Sequence, residues 1–381
     1  MRPVAIIGIG QTKIEEAWEL SIRQIAAEAI HAALEDAGRE SADGMFLGNM
    51  MSGIINSQSN LGSLVAYWAG LKVPAVKVEA ACGSGGAALR AGLMAVGSGE
   101  LESALVVGVE KMTDRSPHEV TVALATAADA DYEVDMGISF VGLNALIMRR
   151  YMYEFGWKHA DFAQFAINAH ANAMHNPYAR LHHNITLEEF EKSAMIATPI
   201  NLLDASPIGD GSAALYIVPA EAVQAGSRIV IAGSAAATDT IALHDRPDPL
   251  FLSAAYKSSQ SAYQQAGVGP GDIDVFELHD AFTVMSALSL EACGFAERGQ
   301  GPRLALDGNL TPQGRIPVMT RGGLKARGHP VGATGVYQVV EVVQQLRGEC
   351  GKTQVPEARV GMAQNIGGSG ATIITHILKR E

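Results

Sequence analysis

The 381-residue sequence contains only three cysteines, Cys82, Cys293 and Cys350, and no Cys-x-x-Cys pair. A disulfide framework and a cysteine-built metal site are thereby excluded, and a reducing compartment is expected. Basic residues are in the minority: 28 Lys and Arg stand against 40 Asp and Glu, for a net charge of −12. So acidic a chain lacks the basic face that phosphate neutralisation requires, which argues against nucleic acid as a general partner. Long apolar runs are missing too, because Gly and charged residues interrupt each one short of the roughly 20 residues that cross a bilayer. Met1-Arg2-Pro3-Val4-Ala5-Ile6-Ile7-Gly8 leads straight into a strand pattern, without the apolar stretch and cleavage site of a secretory signal. A soluble, cytoplasmic protein with no membrane partner is expected.

What is present is a composition of 48% hydrophobic residues and 41 glycines, that of a well-packed α/β globule. The chain contains one unit twice. In the first half a strand over Val4 to Ile9 precedes an Ala-rich helix from about Ile22 to Ala37, closed by Gly38, then a strand over Gly44 to Leu47. In the second half Ile229 to Gly233, a helix from about Leu252 to Ala266 closed by Gly267, and Val275 to Leu278 follow the same order. Strands Ala104 to Val109 and Arg359 to Met362 complete the parallel. Strands apolar on both faces imply buried sheets between helical layers. From 112 to 208 the sequence is richer in His, Met and Asn and reads as an inserted, largely helical domain, with a capping box at Thr186 and Glu189. The division expected is therefore 1–111 with 209–224 as the first half, 112–208 as the insert, and 225–381 as the second half.

His159, His170, His175, His182 and His183 crowd the insert without the acidic partners and spacing of a zinc enzyme, so no metal is expected and solvated helix faces account for them. Gly8-Ile9-Gly10 follows a strand, yet Lys13 stands where the third glycine of a dinucleotide fingerprint belongs. Cys82 is different. It lies in Glu79-Ala80-Ala81-Cys82-Gly83-Ser84-Gly85-Gly86, between a strand over Ala75 to Val78 and a helix beginning near Ser84. A helix N-terminus favours thiolate, which is how a nucleophile is built, although a small buried packing residue is the plainer alternative. His279, in Glu277-Leu278-His279-Asp280-Ala281-Phe282, lies where a strand ends, and His329 stands in a turn fixed by Gly328 and Pro330. Asn365-Ile366-Gly367-Gly368-Ser369-Gly370 offers exposed backbone N–H groups that suit an oxyanion. Thiol, imidazole and amide donors together are the parts of nucleophilic acyl transfer.

These segments, with Gly328-His329-Pro330-Val331-Gly332-Ala333-Thr334-Gly335 and Asp210-Gly211-Ser212-Ala213-Ala214, resemble the thiolase superfamily in order and spacing over almost the whole chain. The resemblance implies two similar α/β halves in α-β-α-β-α layers with an inserted loop domain, and a homodimer or dimer of dimers. It implies that Cys82 is acylated by an acyl-CoA, that His329 helps activate it, and that the N–H groups of Cys82 and Gly367 hold the oxyanion. His279 and His329 would share a second oxyanion hole. No bound cofactor is implied; coenzyme A thioesters are substrates.

The departures matter as much. Asn365 stands where ordinary thiolases have a second, acid/base cysteine, and Ala281 stands where the sterol-carrier-protein type has one. Both positions are candidate lining of the site. A Claisen step still needs a base for the α-proton, and His279 is the first candidate, with His329 second. Asn365 and Ala281 together resemble archaeal-type and related bacterial multicomponent thiolases, which associate with a small zinc-ribbon and OB-fold protein that helps bind coenzyme A. The acidity of the chain fits a CoA site completed by such a partner. The leading expectation is formation or thiolysis of a 3-oxoacyl-CoA through acyl-Cys82. Transfer of the acyl group to a non-thioester carbon such as an electron-rich phenol is the second reading, and a non-catalytic scaffold subunit the third. Met136, Phe140, Met148 and Tyr151 of the insert are candidates for the acyl pocket, with ordinary core positions the equal alternative.

Overall fold

The computed structural model describes residues 1–381 apart from Ala225 and Ser227, so the boundary expected at 224/225 falls on a residue outside the described ones. The first half runs β1 (Val4–Gln11), α1 (Ile22–Ala37), β2 (Gly44–Gly48), α2 (Leu61–Trp68), β3 (Ala75–Val78), α3 (Ser84–Ser98) and β4 (Ala104–Glu110). Helices α4 (Pro117–Ala125), α5 (Phe140–Phe155), α6 (Ala163–Ala173) and α7 (Leu187–Lys192) follow, then a short hairpin of β5 (Met195–Ala197) and β6 (Ile200–Asn201). Strand β7 (Gly211–Pro219) returns the chain between β4 and β1. The second half runs β8 (Ile229–Thr238), α8 (Ser253–Ala266), β9 (Val275–Glu277), α9 (Thr283–Ala292), α10 (Gly301–Leu306), α11 (Thr334–Arg347), β10 (Val360–Gly367) and β11 (Thr372–Arg380).

The repeat is one of topology. Strand order is β3-β2-β4-β7-β1-β8-β11-β10-β9, and the halves meet where β1 pairs with β8 through Ala5–Val230 and Ile6–Ile229. In each half the outer strands run parallel and the two inner pairings are antiparallel. The counterpart of β3 in the second half is a single parallel bridge, Phe276 to Val318. Helices α3 and α11 pack on each other and on strands of both halves, so they form the central layer. Helix α1 covers β1 and β7 on one outer face, and α8 covers β8 and β11 on the other.

Helix α11 is buried almost all round, which its Val-rich sequence permits and its polar residues must be matched to survive. Gln338 Nε2 donates to the carbonyls of Glu277, Leu278 and Gln364 at 3.2, 2.9 and 2.9 Å. Glu341 accepts from Arg327 Nη1 at 2.5 Å, both side chains fully buried. Helix α1 ends where Gly38 takes φ +61°, a left-handed cap that glycine adopts without strain.

The insert is largely helical, and Thr186 Oγ1 accepts from the Glu189 amide at 3.2 Å at the start of α7. Its histidines divide. His175, His182 and His183 are exposed, but the expectation of solvated faces fails for His170 and His159. His170 is fully buried, with Nδ1 2.9 Å from the His183 carbonyl, because α6 packs against the 310–327 segment. His159 lies 2.6 Å from the buried Asp204 and stacks on Phe190. Among the described residues no helix is long and apolar enough to cross a membrane.

Candidate active site

Cys82 occupies a sharp turn between β3 and α3. Ala81 takes φ +52°, a left-handed conformation that costs a non-glycine residue about 1–2 kcal/mol. The turn is held by local bonds: Ser84 Oγ donates to the Ala81 carbonyl at 2.6 Å and accepts the Ala80 amide at 3.0 Å. The Gly83 amide donates to the Ala80 carbonyl at 2.9 Å. A Cβ on Gly367 would lie 2.4 Å from that same carbonyl, so only glycine lets the β10 loop approach the turn. Beyond it, the Gly368 amide is directed at the Cys82 sulfur. Arg246 Nη2 holds that loop from behind by donating to the Ser369 carbonyl at 2.8 Å.

The expected lowering of the Cys82 pKa is overturned. Burial of the thiol, joined by the negative charge of Glu110 and then Glu79, pushes it up to about 12, although the Cys82 and Gly368 amides pull the other way. Desolvation outweighs the helix end here. The resting nucleophile is therefore a neutral thiol that must lose its proton during attack.

The two histidines meet edge to face, with ring centroids 5.1 Å apart. Burial, with the Arg327 charge second, brings His329 down to about 3, and burial with the neighbouring His329 and Arg327 holds His279 well below its ordinary value. Both are neutral imidazoles at physiological pH. His329 Nδ1 lies 2.7 Å from Thr334 Oγ1 at the start of α11, and the His329 amide donates to the Pro207 carbonyl at 3.1 Å. Asp280 accepts the Leu324 and Lys325 amides at 2.7 and 3.1 Å, tying the His279 turn to the segment that leads to His329. Ala281, expected as lining, offers its carbonyl to the Ser206 amide at 2.9 Å and so anchors the returning end of the insert.

Asn365 is more than lining. Its Oδ1 accepts the Gly86 amide at 3.0 Å, while Nδ2 donates to the Cys82 carbonyl at 3.0 Å and reaches His279 Nδ1 at 3.3 Å. One amide thus touches the nucleophile's residue, the first turn of α3 and a histidine.

Glu110 was not singled out by the sequence reading. This fully buried carboxylate at the end of β4 accepts Asn49 Nδ2 and the amides of Met50, Met51 and Gly332, at 2.8, 2.9, 3.0 and 3.0 Å. Burial raises it to about 7 despite those donors. Its signal was legible as a charge ending the apolar run Ala104-Leu105-Val106-Val107-Gly108-Val109, at the strand edge where α/β proteins place function. The expected pocket residues fare worse. Met148 and Tyr151 belong to a core the 112–208 segment shares with α8, α9 and the second-half strands, and Met136 is 75% exposed. Cys82 packs against an apolar cluster that includes Met50, Met51, Met112 and Val331.

A thiol met by a backbone amide and joined through Asn365 to a pair of neutral imidazoles has the chemistry of an enzyme that carries an acyl group on sulfur, and the doubled α/β topology frames it. The comparisons with known proteins agree. Residues 4–221 match the family model "Thiolase, N-terminal domain" and residues 235–380 match "Thiolase C-terminal domain-like". The chain belongs to the thiolase family. It is 46% identical over the full length of both chains to a protein of Methanothermobacter thermautotrophicus named acetyl-CoA acetyltransferase. It is 32% identical to the benzoylsuccinyl-CoA thiolase subunit BbsB of Thauera aromatica, covering 96% of this chain and 95% of that one. Among solved structures, the Ltp2-ChsH2(DUF35) aldolase superposes with a TM-score of 0.87 at 26% identity, covering 99% of this chain and 98% of that one.

Alkylation of Cys82 by iodoacetamide should climb about tenfold per pH unit from pH 7 to 10, since its rate follows the thiolate fraction. A plateau near the ordinary thiol value of about 8.5 would show that the helix end outweighs burial.

Proposed function

We propose that this chain is a thiolase-type acyl-CoA C-acyltransferase that forms or thiolytically cleaves a 3-oxoacyl-CoA through an acyl-Cys82 intermediate. The observation that carries the reading is Cys82 on its turn, with the Gly368 amide at its sulfur and Asn365 linking its carbonyl to the paired imidazoles of His279 and His329, in a chain 46% identical to a protein named acetyl-CoA acetyltransferase. The Cys82 sulfur attacks the thioester carbonyl while His329 accepts its proton. The bond from carbonyl carbon to the CoA sulfur breaks, and that proton leaves with the CoA thiol. The Cys82 and Gly367 amides, with Gly368 beside them, hold the oxyanion of this step. In the second half-reaction a second acyl-CoA loses an α-proton and its carbon attacks acyl-Cys82, with the two histidines beside the reacting atoms. The insert, 112–208 by the division expected above, supplies the lip of the site through Pro207 and Ser206.

A second copy of the chain fits at β3. This strand ends the sheet, and Val76 on it is 52% exposed, leaving an open edge beside apolar surface. A small zinc-ribbon and OB-fold partner is the further component, supported by the chain's net charge of −12 and by the solved structure named Ltp2-ChsH2(DUF35). The three cysteines are all free, as a cytoplasmic location allows.

Incubation with acetyl-CoA should give an acetyl adduct on Cys82, absent from Cys82→Ala, together with a 3-oxoacyl-CoA product. Release of CoA from the adduct without that product would shift the reading to another acyl acceptor. Light scattering should return twice the 40.0 kDa chain mass, falling to one chain mass in Val76→Pro. Titration with CoA should show tighter binding when the partner copurifies, and full affinity of the isolated chain would remove the partner from the proposal.

A further inference from the structure

We propose that Asn365 is a positioning residue that assigns the two histidines opposite roles, with His279 donating to the substrate's thioester oxygen and His329 removing the α-proton. The inference rests on the acyl-transfer reading above and supplies the base that the missing second thiol leaves open. It reverses the preference for His279 drawn from the sequence.

The orientation of the Asn365 amide is fixed by its surroundings. The side chain is buried where a Cβ on Gly335 would lie 2.2 Å from Oδ1 and a Cβ on Gly86 3.1 Å from the asparagine Cβ, so glycine at both positions makes room for it. The Gly86 amide can only donate, so the atom it meets at 3.0 Å is the oxygen. The nitrogen is then the atom facing the Cys82 carbonyl, which can only accept. Its second proton points to His279 Nδ1 at 3.3 Å. An Nδ1 that accepts carries no hydrogen, and a neutral His279 therefore bears its proton on Nε2. That nitrogen is a donor and has no lone pair with which to take a proton.

His329 is set the other way. With its single proton assigned to the Pro330 carbonyl at 3.3 Å, the acceptor-only group within its reach, Thr334 Oγ1 accepts from His329 Nδ1 at 2.7 Å. The lone pair of His329 is thereby left on Nε2. The edge-to-face rings set a donor-bearing and an acceptor-bearing imidazole side by side, with centroids 5.1 Å apart. In the condensation step His329 Nε2 takes the proton from the α-carbon, and the C–H electron pair becomes an enolate whose oxygen is held by His279 Nε2–H. The enolate carbon attacks the carbonyl of acyl-Cys82, the carbon–sulfur bond to Cys82 breaks, and the proton on His329 returns to the sulfur. Atoms and electrons balance without a further acid or base.

The decisive variant is His279→Asn, whose amide can donate but cannot act as a base. Condensation by His279→Asn should stay within about tenfold of wild type, while His279→Ala, lacking a donor, should lose about 100-fold or more. Equal, large losses in both would overturn the assignment. Nitrogen-15 spectra of the imidazole-labelled enzyme give a readout apart from activity: His279 should carry its proton on Nε2, and Asn365→Asp, which can only accept, should move it to Nδ1. A wild-type His279 protonated on Nδ1 overturns the proposal even if Asn365→Asp does not fold. Absence of any acyl-Cys82 in wild type would instead overturn the acyl-transfer reading and leave the tautomer result standing.

Discussion

The site depends on how closely the first turns of α3 and α11 approach. A Cβ on Gly85 would lie 2.9 Å from the Val336 amide nitrogen, and one on Gly335 would lie 2.3 Å from the Gly86 nitrogen. No side chain larger than hydrogen fits between these helix ends. One helix begins two residues after Cys82, the other five residues after His329, and their contact joins the turn that carries the nucleophile in one half to the turn that carries an imidazole in the other. Glu110 sits at the same junction, accepting the Gly332 amide from one half and the Met50 and Met51 amides from the other. A carboxylate gathers backbone donors from both halves because positive helix ends and free amides converge there.

The reactive groups themselves are uncharged. Cys82 is a thiol and both histidines are neutral, whereas the charges lie one layer beneath, with Arg327 against Glu341 and Asp280 against the amides of Leu324 and Lys325. A neutral site loses little hydration when a thioester enters. Charge then appears only as the bonds change, where fixed amides are already aimed, and such donors act on the transition state more than on the bound substrate.

Much of this was legible in the sequence, for identifiable reasons. Gly38 and Gly267 mark helix ends because only glycine takes the left-handed cap easily, and the paired units could be aligned from those marks. Cys82, His279, His329 and Asn365 stood in motifs whose glycines announced close backbone approach. The direction of the Cys82 pKa was misread because a helix end is a local signal, whereas desolvation is set by residues such as Met50, Met112 and Val331, far apart in sequence. The burial of His170 was hidden for the same reason. The role of Asn365 depends on three partners from two segments far apart in the chain, and no spacing along it encodes them together.

The reduced counterpart of β3 also bears on assembly. In the second half the outermost position is the single bridge from Phe276 to Val318, and Val318 is fully buried, its carbonyl accepting from Asn168 of α6 at 3.3 Å. The sheet consequently has one open end and one sealed end. Chains that add through the open end consume it on both sides, so growth terminates at the first pairing and no sheet can propagate from molecule to molecule. The asymmetry between two otherwise matching halves thus leaves the nine-stranded sheet without the second edge that propagation from molecule to molecule needs.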